Sequence, residues 1–298
     1  MTANDSGTSA LTSTSTSTST SGADTAARCG SSPRPPADWW RWQLDGHALG
    51  WLAPAHQALL AAWGVGQAVP GEGRCWACRS GVSDGEAGVE VRSAWLAALA
   101  LRLREAGWVR GWREERYRCR LPRPGLDPAA GPAEGDVFFE LERAAYRFFG
   151  LTSQAVHING VSLTGGLWCG RRALHKATDP GRLDNLAAGG LAAGEDPVAC
   201  ARRELWEEAG VPRALSEPLR RQGLIRTARV EPEGWHDEWL HVFELPLPAD
   251  FVPVNQDGEV SAFECLAPED VARRITGQDF SADAAAVSAS WLASLGRG

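Results

Sequence analysis

Residues 189–211 read GGLAAGEDPVACARRELWEEAGV, and the fold and the chemistry are both legible in that run. Gly189, Glu195, Arg203, Glu204, Leu205, Glu207, Glu208, Gly210 and Val211 stand at fixed intervals, with five residues between Gly189 and Glu195 and seven between Glu195 and Arg203. The apolar spacing predicts a helix over residues 196–209 that ends at Gly210. On such a helix Glu204, Glu207 and Glu208 share one face, because residues three and four apart are neighbours. Each like-charge pair costs roughly 0.2–0.5 kcal/mol, and acidic groups in a last turn oppose the helix dipole. A hard divalent cation with oxygen ligands reverses that penalty and can bridge the oxygens of a diphosphate. The competing reading is a solvated acidic face over an apolar stripe of Val198, Ala201, Leu205 and Ala209. The nine fixed positions within 23 residues favour the cation site.

The composition limits what surrounds this unit. At 298 residues with 44% hydrophobic side chains the chain is long enough for two domains. Thirty-seven acidic against 30 basic side chains give a net charge of −7, which argues against a broad nucleic-acid or anionic-membrane surface. No apolar run approaches the roughly 18 residues that a membrane span requires, and the N-terminus lacks the pattern of a signal peptide. Cytoplasmic residence is the expectation. Seven scattered cysteines read as reduced thiols. Cys75 and Cys78 form a single C-x-x-C with no second pair, and read as cysteines in a loop rather than as a zinc or redox motif.

Residues 1–36 are rich in Ser, Thr, Ala and Pro and read as a disordered leader. Residues 37–150 read as an N-terminal α+β domain, and 151–298 as a second domain. Nine of the 14 tryptophans lie between Trp39 and Trp112, where core filling is the simplest role. Trp40 to Leu44 alternates like a strand, Ala53 to Trp63 and Ser93 to Ala106 have helical spacing, and Gly64 to Gly88 reads as a long loop. Val137 to Phe149 has the spacing of an amphipathic helix, with Phe138, Leu141, Ala145 and Phe148 or Phe149 inward and Gly150 at its end. Strands are expected at 157–163, 167–173, 223–230, 238–245 and 259–265, with a loop at 178–185 and helices at 268–275 and 282–295. Strands alternating with a few helices give a mixed α/β sheet. His236, Asp237, Glu238 and His241 would bring two imidazoles together on a helix; the segment reads as a strand, which separates them.

With these residues in view, the 189–211 segment resembles the Nudix box at every defining position, Leu205 and Val211 filling its aliphatic slots. The resemblance implies a Nudix α/β/α sandwich and hydrolysis of a diphosphate joined to some group X. It also implies Mg²⁺ or Mn²⁺ held by Glu204, Glu207 and Glu208, with Glu195 and the Gly189 carbonyl, and a small-molecule diphosphate as partner. Arg203 is expected to orient the carboxylates, and Glu204 or Glu259 to take the proton of the attacking water.

Upstream of the box lies Lys176, the only lysine in the chain. Its compact ammonium serves phosphate differently from a planar guanidinium, and Arg172 and Lys176 are the candidate diphosphate cations. A second likeness is carried by His157-Ile-Asn-Gly, by the 171–190 run, by Asn255-Gln-Asp-Gly-Glu-Val-Ser-Ala-Phe, and upstream by 42–51, 107–117 and 140–150. These segments resemble the Nudix subfamily related to the N-terminal part of fungal thiamine pyrophosphokinase. That kinship implies hydrolysis of thiamine diphosphate or its oxidised, damaged forms, and adds His157, Asn159, Asp184 and Asn185 to the substrate-binding candidates. The alternatives are another nucleoside diphosphate-X substrate, a binding module without turnover, or an activity like isopentenyl-diphosphate isomerase. The last requires a Cys followed by Gly and His where this chain has Leu186-Ala-Ala-Gly-Gly, and so lacks the thiol proton donor. No pattern in the chain specifies an oligomeric state.

Overall fold

The computed structural model describes residues 34–82, 86–122, 125 and 131–296; the expected leader falls almost wholly outside them. The first half builds β1 (Trp40–Leu44), β2 (His47–Leu52), α1 (Pro54–Ala62), β3 (Gln67–Ala68), β4 (Cys75–Cys78), α2 (Glu86–Glu105), β5 (Arg116–Arg120), β6 (Val137–Glu142) and α3 (Tyr146–Phe149). A four-stranded sheet runs β2-β1-β4-β3, with β4 parallel to β1, and β5 pairs with β6. One apolar cluster holds this half together. Trp42, Phe139, Phe148, Phe149, Leu96 and Leu103 are fully buried in it, and Trp40, Trp63, Trp95, Trp108 and Trp112 pack against it. Seven of the nine tryptophans in this half therefore fill or flank the core, whereas Trp39 meets Trp235 edge-on and Trp51 carries the Arg41 guanidinium on its ring.

Two expectations for this half are corrected. The segment 137–149 is not one helix: its first six residues form β6, in register with β5 through Tyr117↔Leu141 and Cys119↔Phe139. Phe138, Phe139 and Leu141 are all buried. A run apolar on both faces satisfies helical and strand periodicity at once, and the aromatic residues favour the pleat. Only Tyr146–Phe149 turns helical, stopped by Gly150 in the left-handed region at φ 57°. The Gly-rich 64–88 segment is likewise not a plain loop, because β3 and β4 lie inside it. Cys75 and Cys78 are buried on β4, three residues apart and so on opposite faces of the strand. Burial pushes the Cys78 thiol up to about 11, which makes it an inert packing group.

The second half contributes β7 (Thr152–Ser162), β8 (Leu167–Arg172), β9 (Leu183–Asp184), β10 (Ala187–Gly190), α4 (Pro197–Ala209), β11 (Arg220–Glu231), β12 (Gly234–Leu247), β13 (Val260–Leu266), α5 (Pro268–Thr276) and α6 (Ala282–Leu295). Its mixed sheet runs β11-β12-β7-β8-β13, with β10 added on β7 and β9 on β8; β7 and β12 are parallel. Alternation along β7 sends Val156 and Ile158 toward α4, where they meet Leu205, Ala201 and Phe243. The other face packs under α5 and α6 through Leu167, Cys169, Phe280 and Trp291. Helices on both faces of a mixed sheet make the expected α/β/α sandwich. Among the described residues no helix is long and apolar enough to cross a membrane.

Candidate active site

α4 is fixed at both ends. Asp196 caps its N-terminus by accepting from Val198 N and Ala199 N, an interaction worth about 1 kcal/mol. Gly210 ends it in the left-handed region at φ 63°. Beyond that glycine, Val254 N donates to Ala209 O at 3.0 Å and Gln256 N to Glu207 O at 2.9 Å. Carbonyls left open at the helix end thus receive a second chain segment, which carries Asp257 and Glu259 to the glutamates. The buried face of α4 comprises Cys200, Ala201, Glu204, Leu205, Glu208 and Ala209. Val198, placed on that stripe by periodicity, is instead exposed.

Two of the three box glutamates are therefore buried carboxylates. Burial pushes Glu204 up to about 7, against the opposing charge of Arg203, and pushes Glu208 well above the usual carboxylate range. Glu207 stays at the edge with 41% of its side chain exposed. Gly189 explains why no side chain precedes this turn: a Cβ there would stand 1.9 Å from Glu204 Oε1. Arg203 gathers the acids. Its Nε and Nη2 donate to the two oxygens of Glu195 at 2.9 Å each, and its Nη1 donates to Glu204 at 2.6 Å and to Glu207 at 3.1 Å. Burial would raise the Glu195 carboxyl, but the Arg203 bonds and charge hold it below its usual value.

Glu208 accepts from Ala188 N at 2.9 Å and lies 4.0 Å from Lys176 Nζ. Lys176 is ion-paired with Glu259, which also accepts from Arg113 Nη1 at 3.2 Å. Burial acts to raise Glu259, but these two cations bring it below the ordinary range. Oxygens of Glu208, Asp257 and Glu259 fall within 4.8 Å of one another, close enough to share one cation. Buried acids with elevated pKa values, facing a second set of carboxylates, are the hard-oxygen donor set that Mg²⁺ or Mn²⁺ takes. The residues present fit a divalent metal.

The remaining candidates divide by sheet face. Arg172 donates through Nη1 to Asp184 Oδ2 at 2.7 Å and through Nε and Nη2 to Thr178 O, so it already carries a carboxylate. His157 and Asn159 alternate with Val156 and Ile158 on β7 and point away from α4. His157 Nδ1 lies 2.8 Å from Asn185 Oδ1, and Asn185 Nδ2 donates to Asn159 Oδ1 at 2.9 Å and to Ser288 Oγ on α6 at 3.1 Å. This buried network pins the 184–187 turn to α6 from the side of the sheet opposite the glutamates. His236 and His241 lie on opposite faces of β12 as the strand reading required; His236 meets Asp283, itself held by Arg229 through two bonds, and His241 meets Gln154.

Arg113 and Asp257 were not among the residues singled out in the sequence. Asp257 had a signal, since Asp-Gly marks a turn two residues before Glu259. Arg113 had none, because only tertiary packing brings it across from the N-terminal half.

A family model described as the NUDIX domain matches residues 154–286. These residues form a Nudix domain. Nudix hydrolase 24, chloroplastic, of Arabidopsis thaliana is 34% identical over 65% of this chain and 51% of its own length. Nudix hydrolase 20, chloroplastic, of the same plant is 36% identical over 64% of this chain and 49% of its own. The chain thus spans about half the length of the curated relatives it matches. The crystal structure of DR0079 from Deinococcus radiodurans aligns with a TM-score of 0.46 at 24% identity, over 59% of this chain and 98% of that one. Within the Nudix domain, α4 is the box helix and 254–259 is the segment that completes its acidic cluster.

Proposed function

We propose that this chain is a metal-dependent Nudix diphosphatase that converts thiamine diphosphate, or its oxidised and damaged forms, to the monophosphate plus phosphate. The observation that carries the hydrolytic reading is that oxygens of Glu208, Asp257 and Glu259 lie within 4.8 Å of one another beside Lys176, with Glu204 and Glu207 held next to them by Arg203. Glu204, Glu207 and Glu208, with Glu195 and the Gly189 carbonyl, would hold Mg²⁺ or Mn²⁺, which when bound neutralises diphosphate charge and lowers the pKa of a water. The thiamine assignment rests on the likeness of the segments at 157–160, 171–190 and 255–263, and of the N-terminal half, to the thiamine pyrophosphokinase relatives.

The chain's own residues divide the work. Lys176 and Arg172 exchange Glu259 and Asp184 for the phosphate oxygens, a substitution of one anion for another that leaves neither cation unpaired. Arg203 keeps Glu195, Glu204 and Glu207 converged as charge builds at the phosphorus. His157, Asn159 and Asn185 act as positioning residues, holding Asp184 and through it Arg172. The proton of the attacking water goes to Glu204 or Glu259, the two candidate bases; Glu259 is held as an anion by Lys176 and Arg113. As the water oxygen bonds to one phosphorus, the bond from that phosphorus to the bridging oxygen breaks and the other phosphate group leaves with the electron pair.

A phosphate-release screen over thiamine, oxothiamine and oxythiamine diphosphates, nucleoside diphosphate sugars and coenzyme A tests the assignment. Preference for the thiamine series supports it. Turnover confined to a nucleoside diphosphate-X compound replaces the substrate but keeps the chemistry.

A further inference from the structure

A second face of α4, which meets the glutamates only at Arg203, has its own organisation. Ala199, Arg202, Arg203 and Trp206 recur at spacings of three, four and seven, which aligns them in one stripe. The chain that follows Gly210 folds back beside this stripe, and Pro212 and Arg213 form the facing wall of a cavity of about 590 Å³. Small-molecule sites occupy roughly 300–1,000 Å³, so the size suits a compact organic ligand.

The lining carries three features that the catalytic reading does not use. Trp206 leaves 53% of its surface exposed at the cavity, an indole offered to solvent on a polar helix face. Arg202 has its Nε buried with no hydrogen-bond partner among the described residues. That nitrogen is closed to solvent, so it marks a guanidinium the protein leaves incompletely paired rather than the atom a ligand would touch. Arg213 stands exposed on the opposite wall, and unlike Arg203 it is not drawn into the carboxylate cluster. Two guanidinium groups across a gap, beside a free indole and an apolar floor of Ala199, Val211 and Pro212, match one ligand chemistry. Guanidinium forks bind phosphate through paired N–H donors, and a flat heterocycle stacks on an exposed indole.

We propose that this cavity is a second binding site, separate from the diphosphate cleft, for a phosphorylated planar heterocycle of the nucleoside monophosphate type. Its phosphate sits between Arg202 and Arg213, and its ring lies on Trp206. No carboxylate of α4 lines this cavity, so the site needs no metal and stands whatever the substrate of the Nudix domain.

The experiment is calorimetric titration of the full chain in EDTA with three probes: AMP, ribose 5-phosphate and adenosine. AMP is expected to bind with one-to-one stoichiometry and more tightly than either fragment. Arg213→Ala should weaken AMP and ribose 5-phosphate about tenfold, a loss of about 1.4 kcal/mol, and leave adenosine unchanged. Trp206→Ala should weaken AMP and adenosine and leave ribose 5-phosphate unchanged. Both side chains are exposed, and thermal melts of each variant verify that folding is intact; Arg213→Glu and Trp206→Leu serve as second variants. Absence of AMP binding to the wild-type chain overturns the proposal, as does binding that survives both substitutions. Dependence on only one of the two residues overturns the pairing of ring and phosphate.

Discussion

Arg113 and Glu259 are 146 residues apart in sequence and 3.2 Å apart in space, and their ion pair joins the N-terminal half to the Nudix domain at the rim of the acidic cleft. Glu259 also holds Lys176, the only lysine of the chain. The upstream half therefore reaches into the electrostatics of the site and does not merely flank it.

Arg113→Ala tests that connection. With 49% of its side chain exposed, Arg113 contributes at most about 1 kcal/mol to stability, so the melting temperature should hardly move. Glu259 then has Lys176 as its remaining cation and competes with the diphosphate for it, so KM should rise several-fold while kcat changes less. As a control, Arg273→Ala removes a more exposed pair with Asp270 on α5 and should alter neither constant.

Two adjacent glycines should respond differently to alanine. A Cβ at Gly189 would fall 1.9 Å from Glu204 Oε1, the far end of a side chain that can turn away. Gly189→Ala should therefore fold and lose most of its activity, because the carboxylate it displaces is one of the proposed metal ligands. At Gly190 the Cβ would fall 1.5 Å from the Tyr117 hydroxyl and 2.5 Å from its ring. That ring is buried in the N-terminal core, so overpacking should cost about 1–3 kcal/mol of stability. Thermal melts beside turnover assays separate the two outcomes.

What the sequence disclosed follows from where each signal originates. α4 was legible almost to the residue, because Asp196 and Gly210 cap it locally and the box positions fix its phase. The strands at β8, β12 and β13 were found within a few residues from alternation and turn signals. β6 was misread as a helix because its inward residues satisfy both periods, and only pairing with β5 decides between them. β3 and β4 were hidden in Gly-rich sequence, since four residues become a strand there only by lying parallel to β1. The acidic site showed the same division. Its helical half was in the motif, whereas Asp257 and Arg113 arrive through backbone bonds to the end of α4 and through contact between the two halves.

The metal-free protein should lose stability as pH rises. Glu204 has a folded pKa of about 7, above its ordinary value, and Glu208 is raised further. Between the ordinary carboxylate range and these values the folded state binds more protons than the unfolded state, so unfolding becomes easier with increasing pH across that window. His241 acts oppositely: burial lowers it to about 4, so its contribution grows as pH rises from 4 toward its unfolded value. In EDTA, Glu204→Gln should flatten the decline in melting temperature between pH 5 and 8 relative to wild type. Added Mg²⁺ should raise the wild-type melting temperature more at pH 8 than at pH 5. Parallel curves for variant and wild type would remove Glu204 as a buried acid.

The most direct measurement of the central claim, that the carboxylates of α4 exist to hold cations over a diphosphate, is phosphate release with and without Mg²⁺ for the wild-type chain and for Glu207→Gln and Glu208→Gln. The account predicts release that requires the metal and falls by orders of magnitude in both variants, with melting temperatures showing intact folds. Near-normal, metal-dependent turnover by folded variants would contradict it.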